Sequence, residues 1–466
     1  MIFEITPNTE QAYKLLHKGT LALARAERQG MRIDMEYCEQ QHSELSKRIE
    51  ELENDFRGSP LYKKWEKSTA KRPNIHSNSQ LAEFLYGHAG YKPTNLTASG
   101  KGSTDEKSLE SLDIKEINGL LYSRKLKKIR DTYLGGFMRE QVNGFMHPVF
   151  NLHTVRTFRS SSNNPNFQNI PKRNKEAMKI CRRAIYPREG HQLMEVDFGS
   201  LEVRIAACYH EDPTMLTYIQ DKSTDMHGDM AEQIFIIKNF DKNIPEYGLL
   251  RSATKNGFVF PQFYGDYYKN CAMSMAGEWG GLNNGKWKKG QGIAMPDGLT
   301  LSDHLISKGI KSMDDFIEHV RVIEKDFWGK RFPVYAQWKE KWWEAYQKKG
   351  SITMHTGFTC RGLMQKNDAI NYPVQGAAFH CLLWCFIRLD EIMRERKWKT
   401  RLIGQIHDAI VLDIYPPELE EVKKTMTKVL TKELPEYYTW INVPLEVDAD
   451  LGPVDASWNE LEKCKL

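Results

Sequence analysis

Two aspartates stand at positions where a chain can hold metal ions. Asp197 lies in LMEVDFGS, an apolar run that predicts a strand leading into a helix. Asp408 follows His407 between RLIGQI and AIVLDI, which predicts a β-hairpin with the polar pair near its tip. Carboxylates at such positions are ligands that Mg²⁺ accepts. Either aspartate alone is equally compatible with a helix cap or a turn residue.

The segment RSATKNGFVFPQFYG, between the two aspartates, carries groups suited to a nucleoside triphosphate. Arg251 and Lys255 are four residues apart, so a helix places them on one face, and Phe260 and Tyr264 follow at the same spacing. Cations can bind the phosphates and aromatic rings can flank the sugar and base, while two metal ions about 4 Å apart would align a phosphoryl transfer. The order of these groups therefore favours phosphoryl-transfer chemistry over two unrelated structural aspartates.

Helical and strand patterns predict the elements that position these residues. Residues 10–57 predict a helical hairpin broken at GMRID, and a second long helix is expected at about 115–140, beyond a segment rich in Gly, Ser, Thr and Asn. Residues 215–270 and 315–347 are also expected to be mostly helical. Together with the strands around the two aspartates, this pattern indicates a mixed helix and sheet fold.

The composition restricts the class of protein. Of the 466 residues, 40% are hydrophobic and 27% are charged, which are ordinary globular values, and no apolar run is long enough to predict a membrane span. No signal peptide pattern is found at the start. The 8 cysteines show neither a CxxC pair nor zinc-ligand spacing, so we expect reduced, mostly buried thiols. The net charge of +5 permits nucleic-acid binding without demonstrating it.

Six ordered segments carry a resemblance to a known family. DFGSLEVR, R-x-x-x-K with FYG, and IHD occur in the order of motifs A, B and C of family A DNA polymerases. RSSSNNPNFQNIPKR, DMHGDMAEQIF and NYPVQGAAFH are similar to three further segments of that family. The resemblance extends over about residues 12–460, is closest in character to the polymerase half of DNA polymerase I, and suggests a bacteriophage type. Any one motif would carry a substantial risk of coincidence, whereas six in order do not.

The resemblance implies an α+β, right-hand polymerase fold with a helical thumb, an antiparallel-sheet palm and helical fingers. The expected regions are the N-terminal segment and thumb (1–145), the palm with motif A (146–212), the fingers with motif B and an insertion at about 270–315 (213–345), and the palm with motif C (346–466).

The resemblance also implies a role for each matched residue. Asp197, Asp408 and the backbone carbonyl of Phe198 would hold two Mg²⁺ ions, and Lys255 would act as a catalytic residue that protonates pyrophosphate or only neutralises its charge. The residues expected to bind the deoxynucleotide are His227, Arg251, Lys255, Phe260, Tyr264 and Glu202, of which Glu202 would exclude a ribose 2'-hydroxyl. The residues expected to contact DNA are Arg124, Lys128, Arg159, Gln168, Asn169, Asn371, Gln375 and His407.

The chain departs from the family pattern at three places. Ala409 replaces an acid, so a third carboxylate is absent there. Lys255 and Tyr264 are nine residues apart where the pattern has eight, and a kink or π-bulge near Gly257 would restore register. This favours Phe260 as the sugar-facing aromatic, with Phe258 and Val259 as alternatives. The third departure is the longer 270–315 segment, whose Lys286, Lys288 and Lys289 would contact template or a partner, or would simply be solvent-exposed.

From this resemblance we expect a template-directed DNA polymerase that adds deoxynucleotides to a primer 3'-hydroxyl. Its partners would be primer-template DNA, dNTPs and a separate exonuclease or processivity factor, in the cytoplasm of a bacterial or phage-infected cell. Only about ten residues precede the thumb, so no proofreading exonuclease domain is expected. The two alternatives are a catalytically silent DNA-binding relative and a single-subunit RNA polymerase.

Overall fold

The computed structural model describes residues 9–93, 95–97, 99–172, 174–279 and 287–466, and for Lys107 the backbone alone. The α-helices are α1 (Thr9–Gln29), α2 (Met35–Gly58), α3 (Pro60–Ser68), α4 (Asn78–Ala82), α5 (Glu106–Glu110), α6 (Lys115–Lys127), α7 (Gly135–Glu140), α8 (Lys175–Arg183), α9 (Leu201–His210), α10 (Pro213–Gln220), α11 (Met226–Phe235), α12 (Pro245–Thr254), α13 (Phe260–Phe263), α14 (Tyr268–Glu278), α15 (Leu301–Ser307), α16 (Met313–Asp326), α17 (Pro333–Lys349), α18 (Lys366–Glu395), α19 (Leu419–Lys428) and α20 (Leu434–Tyr437).

The strands are short and all their pairings are antiparallel. They are β1 (Met31–Ile33), β2 (Gln141–Val142), β3 (Phe145–Met146), β4 (Val149–Asn151), β5 (Ser161–Asn163), β6 (Ile185–Tyr186), β7 (Gln192–Phe198), β8 (Ser351–Thr353), β9 (Thr359–Arg361), β10 (Arg401–Ile406), β11 (Ala409–Ile414), β12 (Val447–Leu451) and β13 (Glu462–Cys464). Helices packed around antiparallel sheets confirm the predicted α+β class.

Five strands form the central sheet, in the order β10, β11, β7, β12, β13. Every residue of β11 and nearly every residue of β7 is buried, because α-helices and the surrounding chain cover this part of the sheet. The predicted strand before Asp197 and the predicted hairpin around His407 and Asp408 therefore occur as neighbouring strands. Their pairing places Asp197 directly opposite Ala409, and β12 places Asp448 opposite Asp197 on the other side.

Helix α18 is the long helix of the core and packs against α1, α9 and α17. Helix α1 also contacts β10, so it lies with the central sheet although the sequence suggested grouping it with the thumb. A separate hydrophobic cluster has members between Phe56 and Leu121, whereas the flanking parts of the N-terminal region belong to the main core. The contacts of α1 depend on long-range packing, which helical periodicity does not encode.

One buried acid joins the central region to the helices that follow. Asp212 is completely buried, and one of its oxygens accepts hydrogen bonds from the backbone N–H groups of Thr214 and Met215, at the start of α10. Its other oxygen accepts from the backbone N–H groups of Val334 and Tyr335, at the start of α17, both at 3.0 Å. A single carboxylate thus caps two helices and fixes where they begin.

The predicted irregularity in the fingers helix is present. Lys255–Val259 forms a π-helical turn, closed by a hydrogen bond from the Phe260 N–H to the Lys255 carbonyl, and α13 continues from it. A side chain at Gly257 would place its Cβ 2.6 Å from Met275 Cγ, so glycine allows α14 to approach this turn. The extra residue is absorbed within one turn, as the sequence suggested.

The described part of the 270–315 segment is anchored by tryptophans. Trp279 and Trp287 are buried and pack against Phe316 in α16, with ring centroids 5.5 and 5.8 Å apart. Lys288 and Lys289 are exposed, while Lys286 lies outside the described residues. The segment is therefore tied to the neighbouring helices, which the expectation of a solvent-exposed addition did not anticipate.

The cysteines agree with the sequence prediction. Seven of the eight are buried, Cys464 is half-buried, and all are free thiols. Within the described ranges, no helix combines the length and the apolar character needed to cross a membrane.

Candidate functional site

The end of β7 and the β10–β11 hairpin bring the two predicted metal-binding aspartates next to each other. The hairpin turns through two residues, and His407 adopts a left-handed conformation with φ of 50°. The backbone N–H of Phe198, the residue after Asp197, donates to the carbonyl of Asp408 at 3.3 Å. Two carboxylates that are 211 positions apart in the chain (408 − 197) thereby share one edge of the sheet.

Both carboxyl groups of the acid pair have pKa values above the usual range for aspartate, and burial is the largest cause. Burial raises the pKa of Asp408 to about 7, and the carboxylates of Glu202 and Asp197 add to this effect. Burial also raises the pKa of Asp197 above its usual value, although the ammonium group of Lys172 opposes the rise. Among the described residues, no group of three or more His, Cys, Asp or Glu side chains is arranged to hold a metal ion, so the pair stands without a third ligand of that kind.

A buried ion cluster supports β7 two residues before Asp197. Glu195 is 3% exposed and accepts hydrogen bonds from Lys172 and Arg182, both at 3.0 Å, and from the Trp458 indole at 3.1 Å. Burial alone would raise the pKa of Glu195, but the two cations lower it on balance. Lys172 Nζ also lies 3.5 Å from Asp197 Oδ2, so one lysine contacts the structural acid and the site acid.

Glu202 lies in the first turn of α9 and is held by two side chains. Arg159 donates to its Oε1 at 2.9 Å, and the hydroxyl of Tyr264 donates to its Oε2. Asn371, on α18, donates to the backbone carbonyl of Tyr264 at 3.1 Å. These contacts connect the sheet region with the end of the helix that carries Arg251 and Lys255, as a shared site requires.

A cavity of about 190 Å³ lies where these elements meet. Its lining includes Glu202, Phe260, Tyr264, Asn371, Gln375 and Asp408. Predicted nucleotide-binding, DNA-binding and metal-binding residues therefore border the same space.

The aromatic residues after the π-helical turn differ in their surroundings. Phe258 and Val259 are completely buried in the core, whereas Phe260 is half-buried and lines the cavity. Lys255 Nζ lies 5.3 Å from the centre of the Phe260 ring, and the ring of His227 meets it edge-on at 5.7 Å. Of the three candidates for the sugar-facing residue, only Phe260 borders the described cavity.

The predicted phosphate-binding residues lie near one another, and two of the three carry a positive charge at pH 7. Arg251 makes a two-point ion pair with Asp225, with Nε to Oδ2 at 2.6 Å and Nη2 to Oδ1 at 2.7 Å. Burial lowers the pKa of His227 to about 4, and the cations of Arg251 and Lys255 contribute to this shift. His227 is therefore neutral at pH 7 beside two cations.

The hairpin tip belongs to a polar network that the sequence only partly indicated. Gln405 is 2% exposed, its Oε1 accepts from Ser160 and Gln168, each at 2.7 Å, and its Nε2 donates to the His407 carbonyl. The His407 side chain and Asn169 are exposed beside this network. Gln405 escaped the sequence analysis, although a glutamine within the apolar strand before His407 was a usable signal.

Arg124 lies on α6 and Lys128 directly follows that helix, and neither residue is among those that line the cavity. Arg124 is partly buried and donates to the Ile75 carbonyl at 3.5 Å, and burial lowers its pKa. Lys128 is exposed at the start of the π-helical turn that follows α6. Lys128 is thus the more accessible of these two residues.

The structure can be placed among known folds. It resembles the POL domain of Pol1 from M. smegmatis, whose solved structure is a complex with DNA primer-template and dNTP. The TM-score is 0.73, the sequence identity is 21%, and the match covers 95% of this chain and 70% of the other. At this identity the comparison establishes the fold, which is the right-hand fold of a polymerase domain.

The sequence comparisons establish the family. The model of the family described as "DNA polymerase family A" matches residues 35–275 and 346–460, which together make up more than half of the chain. The chain therefore belongs to DNA polymerase family A. The unmatched stretch between these ranges contains most of the tryptophan-anchored segment described above.

Relatives occur in bacteria and in a bacteriophage. DNA polymerase I of Aquifex aeolicus is 28% identical over 428 residues, which span 89% of this chain and 63% of that protein. The DNA polymerase of Bacillus phage SP01 is 25% identical over 420 residues, spanning 84% of this chain and 41% of the phage protein. The chain thus spans less than two thirds of the length of either relative.

Proposed function

We propose that this chain is a template-directed DNA polymerase that adds deoxynucleotides to the 3'-hydroxyl of a primer. The proposal depends on one observation: Asp408 at the sheet edge, Glu202 on α9, and Phe260 and Tyr264 beyond the π-helical turn border the same cavity. Membership in family A, the names of the relatives, and the primer-template and dNTP bound to the similar M. smegmatis domain support it.

The donor set near the acid pair fits Mg²⁺. Asp197 and Asp408 offer hard carboxylate oxygens, and the Phe198 carbonyl is a further candidate ligand. Burial raises the pKa of both carboxyl groups, so a bound cation would favour their charged forms. When bound, two Mg²⁺ ions would stabilise the attacking and leaving oxygens of the displacement. The residues that would hold them are these three, without an acid at Ala409.

The protein's own groups would orient the incoming nucleotide. Arg251 and Lys255 would bind the triphosphate through charge, and the neutral His227 would contribute a hydrogen bond. Phe260 would pack against the sugar, and Lys255 is the candidate for delivering a proton to the pyrophosphate that leaves. Each role follows from the side chain's position around the cavity or in the adjacent cation cluster.

Glu202 would exclude ribonucleotides by filling the space of a 2'-hydroxyl. Its two carboxylate oxygens are held by Arg159 and Tyr264, so the group is fixed before a nucleotide enters. A second set of residues would contact the phosphates and minor-groove edges of the primer-template. These contacts would not depend on base sequence. That set comprises Arg124, Lys128, Arg159, Gln168, Asn169, Asn371, Gln375 and His407.

The decisive experiment is extension of a primed DNA template, with and without Mg²⁺ and with either deoxynucleotides or ribonucleotides. The wild type should extend the primer with Mg²⁺ and deoxynucleotides, and Asp408→Ala should be slower by about 10³-fold or more. Equal extension by the variant would overturn the assignment of the acid pair. Preference for ribonucleotides would favour an RNA polymerase, and DNA binding without any extension would favour a silent relative.

We also propose that this sequence carries no proofreading activity and that its partners include a separate exonuclease or a processivity factor. Helix α1 packs on α18 and β10, while α16 packs on α11 and α14 and α17 packs on α18, so these segments serve the polymerase fold. A mismatched primer incubated with Mg²⁺ and no nucleotides should keep its length. Steady shortening of that primer would contradict this part of the proposal.

The bacterial and phage relatives support action inside a bacterial cell.

A further inference from the structure

We propose that Asp225 is a positioning residue that holds the guanidinium group of Arg251 in the orientation needed to bind the nucleotide triphosphate. This inference rests on the proposed function of Arg251. Asp225 itself would not touch the substrate, since its two oxygens face the arginine.

The geometry of the pair leaves the arginine able to bind a second anion. Asp225 engages Nε and Nη2 of Arg251 at 2.6 and 2.7 Å, along one edge of the planar group. A guanidinium has five N–H donors, so three remain beyond the two used here. The pair therefore fixes the plane of the group while leaving donors for a phosphate, as acids that orient metal-binding histidines leave the metal-binding nitrogen available.

Asp225 is itself held in place. It stands immediately before α11, and burial alone would raise its pKa, but Arg251 and the nearby backbone N–H of Gly228 lower that pKa on balance. A side chain at Gly228 would bring its Cβ to 2.9 Å from Asp225 Oδ2, so glycine permits this close approach. The anchored carboxylate thus transmits the position of α11 to Arg251 on α12.

The Asp225 carboxylate contacts one triphosphate-binding candidate and lies close in the chain to another. His227 follows Asp225 by two residues at the start of α11, and Arg251 reaches that helix end from α12. The Asp225 and Arg251 side chains are 19% and 30% exposed, so solvent weakens their attraction less than at a fully exposed surface. Without Asp225, a flexible arginine would have to be ordered when the nucleotide binds, at a cost in side-chain entropy.

A double-mutant cycle tests the inference, using Asp225→Ala, Arg251→Ala and the combined variant. We would measure kcat and KM for the deoxynucleotide, the Kd for primer-template, the Tm, and the Kd for nucleoside triphosphate by calorimetry. Asp225→Ala should raise KM and the triphosphate Kd about tenfold, the effect of a charge-assisted hydrogen bond, and leave primer-template binding unchanged. In the Arg251→Ala background the same change should shift KM by less than about twofold.

Asp225→Asn and Asp229→Asn sharpen the measurement. Asparagine at position 225 keeps the shape of the side chain but loses its charge. We therefore expect a KM between those of the wild type and Asp225→Ala. Asp229 lies on the same helix but bonds to Tyr218 at 2.5 Å, so Asp229→Asn should leave KM unchanged. This control separates the loss of an acid on α11 from the loss of the Arg251 contact.

Three results would overturn the inference. An unchanged KM in Asp225→Ala would mean that the acid does not position Arg251, and a lower KM would mean that it restrains Arg251. A KM effect that persists without Arg251, together with a lower Tm, would assign Asp225 to fold stability alone. Failure of the wild type to extend primers would contradict the proposed function, and the calorimetric Kd values would still decide the role of Asp225. Absence of any triphosphate binding by the wild type would exclude this role as well.

Discussion

The acid pair at the sheet edge and the cation cluster in the fingers have opposite electrostatic imbalances. At the sheet edge, burial and neighbouring carboxylates raise the pKa of Asp408 to about 7. In the fingers, burial and neighbouring cations lower the pKa of His227 to about 4. Burial is the largest cause of both pKa shifts, and neighbouring carboxylates add to the first shift while neighbouring cations add to the second. A bound metal cation would relieve the first imbalance and a bound triphosphate the second, as the proposed reaction requires.

A second comparison lies within strand β7 itself. Glu195 and Asp197 are two residues apart and point to the same face of the sheet, yet only Glu195 is fully paired with cations. Its pKa is lowered on balance, whereas that of Asp197 is raised. A structural acid is neutralised within the protein, and the acid assigned to the site is left incompletely neutralised.

Outside the acid pair, the largest effect is expected from removing the charge of Lys255, which is proposed to face the triphosphate. Lys255→Met should lower the rate of nucleotide addition by about 10²- to 10³-fold, since both charge and proton donor are lost. If Lys255 delivers a proton, Lys255→Arg should remain impaired, because arginine keeps its proton. Single-turnover rates measured across pH would show this. Full activity of the arginine variant would reduce the role of Lys255 to charge neutralisation.

Phe260, which borders the cavity together with Asp408, should control sugar selectivity. If Phe260 faces the sugar, dideoxynucleotides are poor substrates, and Phe260→Tyr should improve their incorporation about tenfold by supplying a hydroxyl near the missing 3'-hydroxyl. Single-nucleotide incorporation assays would compare both nucleotide types. Phe258→Tyr is the matched control, and unchanged selectivity in Phe260→Tyr would contradict the assignment.

Removal of Lys172 should deepen the negative imbalance at the sheet edge. Lys172→Met should lower the Tm of the metal-free protein. It should also lower about fivefold the Mg²⁺ concentration at which half of the full increase in Tm is reached, because a more negative site binds cations more tightly. Thermal unfolding in EDTA and in graded Mg²⁺ would measure both. Lys175→Met, at an exposed lysine nearby, should change neither. A higher Mg²⁺ requirement in Lys172→Met would refute this reasoning.

The smallest effect concerns the positive imbalance in the fingers. The pKa of His227 is about 4 in the folded protein, below the ordinary value of 6.5, so its stabilising contribution is present above pH 6.5 and lost as the pH falls through 4. Acidification from pH 7 to pH 4 should therefore lower the free energy of unfolding by about 1 kcal/mol less in His227→Gln than in the wild type, allowing for partial solvent exposure. Urea unfolding at pH 7 and pH 4 would measure it. Identical losses in both proteins would count against the low pKa.

The elements that the sequence predicted correctly are those with local patterns. Alternating and continuous apolar runs located β7 and the hairpin, and the count of residues between Lys255 and Tyr264 located the π-helical turn. Glu195, Lys172 and Asp225 were not selected, since their roles depend on partners brought near by folding. An acid inside an apolar strand and a lysine after PNFQNIP were the available signals, but neither spacing nor composition distinguishes such residues from exposed charges.

The π-helical turn at Lys255–Val259 has a consequence for how such chains vary in length. One added residue in an α-helix rotates everything beyond it by about 100°, which would turn Phe260 and Tyr264 away from the cavity. Here the wider turn contains the extra residue, and both side chains line the cavity. We therefore expect evolutionary gain or loss of a single residue in this helix to concentrate at this turn, where the number of residues can change while the facing of the aromatic side chains is kept.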